Sequence, residues 1–214
     1  MYVPAHFSQT DQDALKQFIK TYPFGLLVTH GKSGLDANHI PFELLDGGTQ
    51  GVLSAHVARA NPVWQDVQDG DEVLVVFKAA DSYISPTWYP SKQDHHKQVP
   101  TWNYMVVHAR GRITIRDEER YVRGVVARLT RQHEAAMPQP WKMSDAPADY
   151  VDSLLKAIVG IEIEITGLVG KTKLSQNKEV RDVHSVGEQL KARGAHILGD
   201  ATLLAADEKE QGNS

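Results

Sequence analysis

The chain has 214 residues, 41% hydrophobic and 23% charged, a balance that excludes a largely disordered polymer and suits one domain with its own core. Its formal net charge of -4 supplies no overall attraction to a phosphate backbone, and zero cysteines exclude disulfides, iron–sulfur clusters, thiolate metal sites and a cysteine nucleophile. No run approaches the roughly 18 apolar residues that span a bilayer, and Met1-Tyr2-Val3-Pro4 lacks the basic and apolar regions of a signal peptide, so the expected location is cytoplasmic with no membrane partner.

Thr10-Asp11-Gln12-Asp13 opens an apolar pattern of Leu15, Phe18 and Ile19, which predicts a short helix as far as Thr21. Pro23 stops it, and Phe24–Thr29 and Ile40–Leu45 read as strands joined through a turn at Gly31–Gly34. The Asp46-Gly47-Gly48 turn leads into a strand at Val52–His56, and Asn61-Pro62 starts a brief helix with proline in its first turn. Glu72–Lys78 reads as a buried strand and Met105–Ile115 as another. Between Asp117 and His133 helical spacing puts Tyr121, Val122, Val125, Val126 and Leu129 on one arc and Arg120, Arg123, Arg128 and Arg131 on the opposite one. A short helix is expected at Ala148–Lys156, a half-exposed strand at Ile158–Ile165, and a helix at Val180–Arg193 capped by Gly194. Residues 1–198 are expected to form a single domain with helical additions, and 199–214, most of all Asp207–Ser214, a polar tail without order. Closely spaced strands, turn signals and isolated helices point to a mainly β, α+β chain with an antiparallel barrel rather than a doubly wound sheet. There is no Gly-x-Gly-x-x-Gly or Walker-type loop.

Seven segments carry a more specific signal: PFGLLVTH (Pro23–His30), ANHIPFEL (Ala37–Leu44), AHVARANPVW (Ala55–Trp64), SYISPTWY (Ser82–Tyr89), VPTWNYMVVHARG (Val99–Gly111), LTRQHE (Leu129–Glu134) and KTKLSQN (Lys171–Asn177). In order and spacing the chain resembles the PaiB-type family of FMN-binding bacterial proteins, which is similar to the pyridoxamine-phosphate-oxidase-like split barrels. The resemblance implies an FMN-binding split β-barrel and a homodimer with flavin at the subunit interface.

FMN requires cations or amide donors for its phosphate, main-chain groups along the edge of its ring, and flat apolar walls. Arg59, just before Asn61-Pro62, offers a fork of donors beside a helix start and is the expected phosphate ligand. Asn38, His39, Ile40 and Pro41 are candidates for the ring edge through their backbone, with hairpin termination as the equal alternative. Ser54 and His56, alternate residues of one strand, point to one face, although a lone strand histidine is more often structural. Trp102 is the preferred ring neighbour, with Asn103 beside it; Ser85–Tyr89 borders the pocket or fills an interface. Lys171 and Lys173 either add charge for the phosphate or are simply solvated.

Ten histidines show neither a His-x-x-x-His helix spacing nor His-Glu-x-x-His, so no metal is expected, and no hydrolase elbow or triad is legible. Catalytic residues are therefore unassigned. Two functions follow from the resemblance. One is a negative transcriptional regulator of the PaiB type; no helix-turn-helix is present, and were DNA bound, the arginine face at 120–131 repeated across a dimer is where it would lie. The other is an FMN-dependent oxidoreductase or flavin reductase, in which the cofactor does the redox step and no acid or base need show in the sequence.

Overall fold

A computed structural model describes residues 1–212. In chain order the strands are β1 (Ser8–Gln9), β2 (Phe24–Gly31), β3 (Gly34–Pro41), β4 (Glu43–Leu45), β5 (Val52–Ala58), β6 (Glu72–Ile84), β7 (Thr101–Arg116) and β8 (Ile158–Lys173). The α-helices are α1 (Gln12–Thr21), α2 (Val63–Asp66), α3 (Lys92–His95), α4 (Glu119–Glu134), α5 (Ala148–Leu155), α6 (Val180–Ala192) and α7 (His196–Gly212). The strands form an antiparallel sheet in the order β3-β2-β6-β7-β8-β5-β4, with β1 paired to β8. Where the sequence suggests one domain and a tail, the chain groups into two compact units: Met1–Asp11, Lys78–Val107 and the chain from Val169 on; and Gln12–Phe77 with His108–Leu168.

In the second of these units β2 and β3 make a regular hairpin, from Phe24 opposite Pro41 to Gly31 opposite Gly34. Gly34 has φ +100°, a turn geometry that side chains resist. Strand β3 thus begins six residues before the expected Ile40, because Leu35, Asp36 and Ala37 are all exposed on an end strand and show no burial-driven alternation. Phe42 interrupts the expected Ile40–Leu45 strand; its ring packs edge-on against Phe77 at 5.7 Å. Strands β5 and β8 pair from Val52 opposite Glu164 to Ala58 opposite Ile158, and their inward residues Leu53, Ala55, Ile161, Ile163 and Ile165 are buried. Helix α4 turns Val122, Val125 and Leu129 into this core, as its spacing predicts.

In the other unit α6 and α7 form an antiparallel helical pair, with Gly194 at φ +81° just past α6 as expected. The expected disorder of residues 199–214 is corrected over 199–212, which continue α7; Asn213 and Ser214 lie outside the described residues. The helix leaves little periodic signal because its buried face includes Gly199, Thr202 and Ala206, small residues that read as polar or neutral. Close approach explains them: a Cβ on Gly199 would lie 3.0 Å from the Gly187 carbonyl oxygen and 3.1 Å from the Lys191 amide nitrogen. Lys209 of α7 donates to the carbonyl of Gln176 at 3.0 Å and anchors the loop after β8.

Leu198 is fully buried at the start of α7. Leu198→Ala is expected to cost about 2–4 kcal/mol in denaturant unfolding, within the usual range for a truncated core leucine. Native amide exchange should show protection through 199–206; exchange at unfolded rates there would contradict a packed helix.

Candidate functional site

The expected site residues fall into two groups, one in each unit. In the unit built from Gln12–Phe77 and His108–Leu168, Arg59 follows β5 directly, and its guanidinium lies against the start of α4 and the end of α5. Nη1 donates to Asp117 Oδ2 at 2.9 Å and Nη2 to Asp117 Oδ1, while Nε donates to the Lys156 carbonyl at 2.8 Å and Nη2 to that of Ile158 at 3.2 Å. The Asp117 contact raises the arginine pKa and holds the Asp117 carboxyl below its ordinary range. Four of five donors are engaged and the charge is balanced, so a phosphate would have to compete with Asp117 for this side chain. The Arg59 carbonyl also accepts from Trp64 Nε1 at 3.0 Å.

Ser54 is buried, and its hydroxyl lies 3.0 Å from Tyr121 Oη and 3.5 Å from Arg128 Nη2, with Arg128 Nε donating to Glu43 at 2.6 Å. Helix α4 therefore occupies the space in front of this hydroxyl. It fits because Gly160 has no side chain; a Cβ there would lie 2.6 Å from Tyr121. His56 sits opposite Gly160 on β8, and its buried Nδ1 has no hydrogen-bond partner among the described residues. Burial pushes its pKa below the ordinary histidine value, and does the same for His108. On β3, Asn38 donates to Asp36 at 2.8 Å and accepts from Asn61 Nδ2 at 2.7 Å, and His39 stacks on Phe24 with ring centroids 6.2 Å apart. Ile40 is buried, and Pro41 closes the hairpin opposite Phe24.

The second group lies in the other unit, at the β7 start and the β8 end. Trp102 is 53% exposed and meets Tyr83 edge-on at 6.1 Å, presenting a flat apolar surface. Asn103 is fully buried; its Nδ2 donates to Ser175 Oγ at 3.0 Å, and Ser175 adopts φ +67°, a left-handed conformation unusual for serine. Lys173 Nζ donates to the Thr101 hydroxyl and, at 2.8 Å, to the Trp102 carbonyl. Lys171, only 9% exposed, donates to the Tyr2 carbonyl at 3.2 Å. Sequence reasoning missed a third lysine, Lys178, which donates to Gln98 Oε1 at 2.7 Å. Its place in the SQNK run after β8 was the available signal.

Among the described residues none of these three ammonium groups meets a carboxylate. They rest instead near aromatic faces: Lys171 is 5.3 Å from the Tyr104 centroid, Lys173 5.8 Å from Phe7 and Lys178 5.4 Å from Tyr89. Burial, then repulsion from Lys171 and Lys178, lowers the Lys173 pKa. The three ammonium groups thus carry positive charge that no carboxylate among the described residues balances through an ion pair.

Residues 1–167 match the family model described as "Putative FMN-binding domain". The chain belongs to this FMN-binding family. FMN is the cofactor that membership assigns to it. The chain is 30% identical to the Protease synthase and sporulation protein PAI 2 of Bacillus subtilis over 190 residues, covering 89% of each chain. It is 32% identical to an uncharacterised protein of Aspergillus fumigatus, covering all of this chain and 98% of the other. Among solved structures, the flavocytochrome Anf3 of Azotobacter vinelandii superposes with a TM-score of 0.59 at 11% identity, over 80% of this chain and 72% of that one. That likeness speaks for the fold, which is the antiparallel split β-barrel with added helices. Among the described residues of this FMN-binding chain, no helix is long and apolar enough to cross a membrane, and no cluster of His, Asp and Glu could hold a metal ion.

The two depressed histidines give a pH dependence with a definite sign. Below the ordinary histidine pKa, about 6.5, the unfolded chain takes up protons that folded His56 and His108 resist, so stability falls as pH drops through that value towards their folded pKa values. His56→Gln should flatten the fall in urea midpoint between pH 7 and 5 without abolishing it, because His108 remains. An unchanged slope would show that the His56 ring is not held neutral by burial.

Proposed function

We propose that this chain is an FMN-binding flavoprotein that works as a homodimer, with Lys171, Lys173 and Lys178 forming the phosphate end of its flavin site and Trp102 a wall for the ring. The observation that carries the reading is the trio of ammonium groups without a carboxylate partner. A dianionic phosphate meets the requirement that they leave open, and charge-assisted bonds to it are about twice as strong as neutral ones. Arg59 is by contrast already paired, so its part in this reading is to join the β5 end to the α4 start and the α5 end. Bound FMN supplies the redox chemistry. The chain's own residues hold the anion, present Trp102, and keep Thr101 and the Trp102 carbonyl fixed to Lys173.

The homodimer is supported by the exposed apolar surface on each unit: Val99 and Tyr83 near Trp102, and Phe24 and Leu35 on the β2–β3 hairpin. A regulatory role is supported by the kinship with the PAI 2 protein. Direct DNA reading by α4 is not part of the proposal. Arg123 is paired with Glu119 and Asp152, and Arg128 with Glu43, which removes half of the positive face. A face so neutralised has little left to displace counterions from DNA.

The test compares FMN with riboflavin, which lacks only the phosphate. Lys173→Ala should weaken FMN roughly tenfold to a hundredfold, the worth of about 1.5–3 kcal/mol, while riboflavin changes little. Arg59→Ala should leave the ratio of the two affinities unchanged; the opposite pattern would move the phosphate to Arg59 and overturn the lysine assignment.

A dependence on pH follows from Lys173. The FMN-to-riboflavin ratio should fall as pH rises through its depressed pKa, earlier than an ordinary lysine would allow, and a ratio flat to the ordinary lysine range would count against it. Light scattering of the FMN-loaded chain at micromolar concentration should give a dimer; a monomer would refute that part.

A further inference from the structure

Beyond the flavin reading, and independent of it, the structure assigns a second small-molecule site to the C-terminal half of α4. A cavity of about 560 Å³ opens there, within the range of sites that enclose small organic ligands. One wall is a stripe of α4 that faces away from the core, in which Ala127 and, just past the helix end, Ala135 leave the floor low. The other wall is the return segment carrying Trp141 and Met143. This segment is tied back by two bonds to one residue: the Trp141 amide donates to Glu134 Oε2 at 2.9 Å, and the Met137 amide donates to the Glu134 carbonyl at 2.9 Å.

The charges at the rim choose the ligand. Arg131 and Lys142 both line the cavity and both are exposed; neither side-chain cation forms an ion pair among the described residues, the Asp145 carboxylate being bonded to the Lys142 main-chain amide at 2.9 Å. Glu134 is three residues from Arg131 on the same helix, yet forms no ion pair with it; its carboxylate is turned to the Trp141 amide instead. Arg123 and Arg128 of the same helix are, in contrast, in ion pairs. An apolar slot with an indole and a thioether on one side, and two unpaired cations at its edge, fits a small organic anion with a flat apolar body. A carboxylate can be held by the guanidinium fork while the body lies on Trp141. The ligand class is therefore an arylcarboxylate.

The FMN-loaded full chain should bind 2-naphthoate, one per chain, in isothermal titration calorimetry. Joint replacement Arg131→Ala and Lys142→Ala should weaken naphthoate by roughly tenfold or more, with the flavin spectrum unaltered. The same variant should leave the neutral 2-naphthylmethanol unaffected, which separates the charge from the slot. Ala127→Leu, a change that helices tolerate, should fill the floor and remove both probes. The inference is overturned if the wild type binds no naphthoate up to millimolar concentration, or if binding ignores both variants. It is also overturned if Ala127→Leu splits the dimer while the wild type binds neither probe, since the groove would then belong to a second copy. None of these results depends on where the flavin phosphate sits.

Discussion

A positive charge taken partly out of water needs compensation, and much of what distinguishes this protein follows from how that compensation is arranged. At the β8 end, among the described residues, three lysines are compensated only by carbonyls, a hydroxyl, an amide oxygen and aromatic faces, none of which carries a full negative charge. Their mutual repulsion is tolerated because the surrounding unit holds them in place: β1 pairs with β8 at Lys171, Asn103 bonds to Ser175, and Lys209 of α7 grips the loop that carries Lys178. In the proposed flavin site this arrangement would be prepared for the phosphate before it arrives, because charge held in a rigid frame needs little reorganisation on binding. The left-handed backbone at Ser175 belongs to the same frame, since it occurs where the chain leaves β8 between Lys173 and Lys178.

Arg59 shows the opposite solution. It has the features that single out an anion ligand in a sequence, namely a position after a strand and a neighbouring helix start, and it uses them on Asp117. The pair is more than a third exposed on both sides, so its Coulomb energy contributes little to stability. Its value is geometric: one planar fork reaches a carboxylate and two main-chain carbonyls from separate elements. The part-buried cluster of Ser54, Tyr121, Arg128 and Glu43 has the same character. Hydroxyls and charges that look available in a list of residues are consumed by one another once α4 lies on the sheet.

Legibility in the sequence follows from the same physics. Strands with an inward apolar face, such as β5 and the first half of β8, announce themselves because burial imposes alternation. Helix α4 does so through its stripe of Val122, Val125 and Leu129. Strand β3 starts earlier than expected because an end strand has one solvated face and few apolar residues to reveal it. Helix α7 is hidden for a different reason: close packing against α6 selects Gly199, Thr202 and Ala206, whose smallness carries no hydrophobic period. Among candidate site residues, Trp102, Asn103, Lys171 and Lys173 emerge together in one unit, while Asn38, His39, Ile40, Pro41, Ser54, His56 and Arg59 lie in the other.

The sequence by itself determined the family, the cofactor and the antiparallel split-barrel class, because segments such as VPTWNY and KLSQN combine residue types that chance seldom places in that order. Composition alone also determined that thiol chemistry plays no part, since the chain contains no cysteine. Only the tertiary structure decided which cations are free. Apart from pairs close in sequence such as Arg123 and Glu119, whether an arginine or a lysine is neutralised here depends on carboxylates tens of residues away, as Asp117 is from Arg59 and Glu43 from Arg128. Ion pairing acts over a few ångströms of space and is indifferent to chain separation, so no local pattern records these long-range pairs.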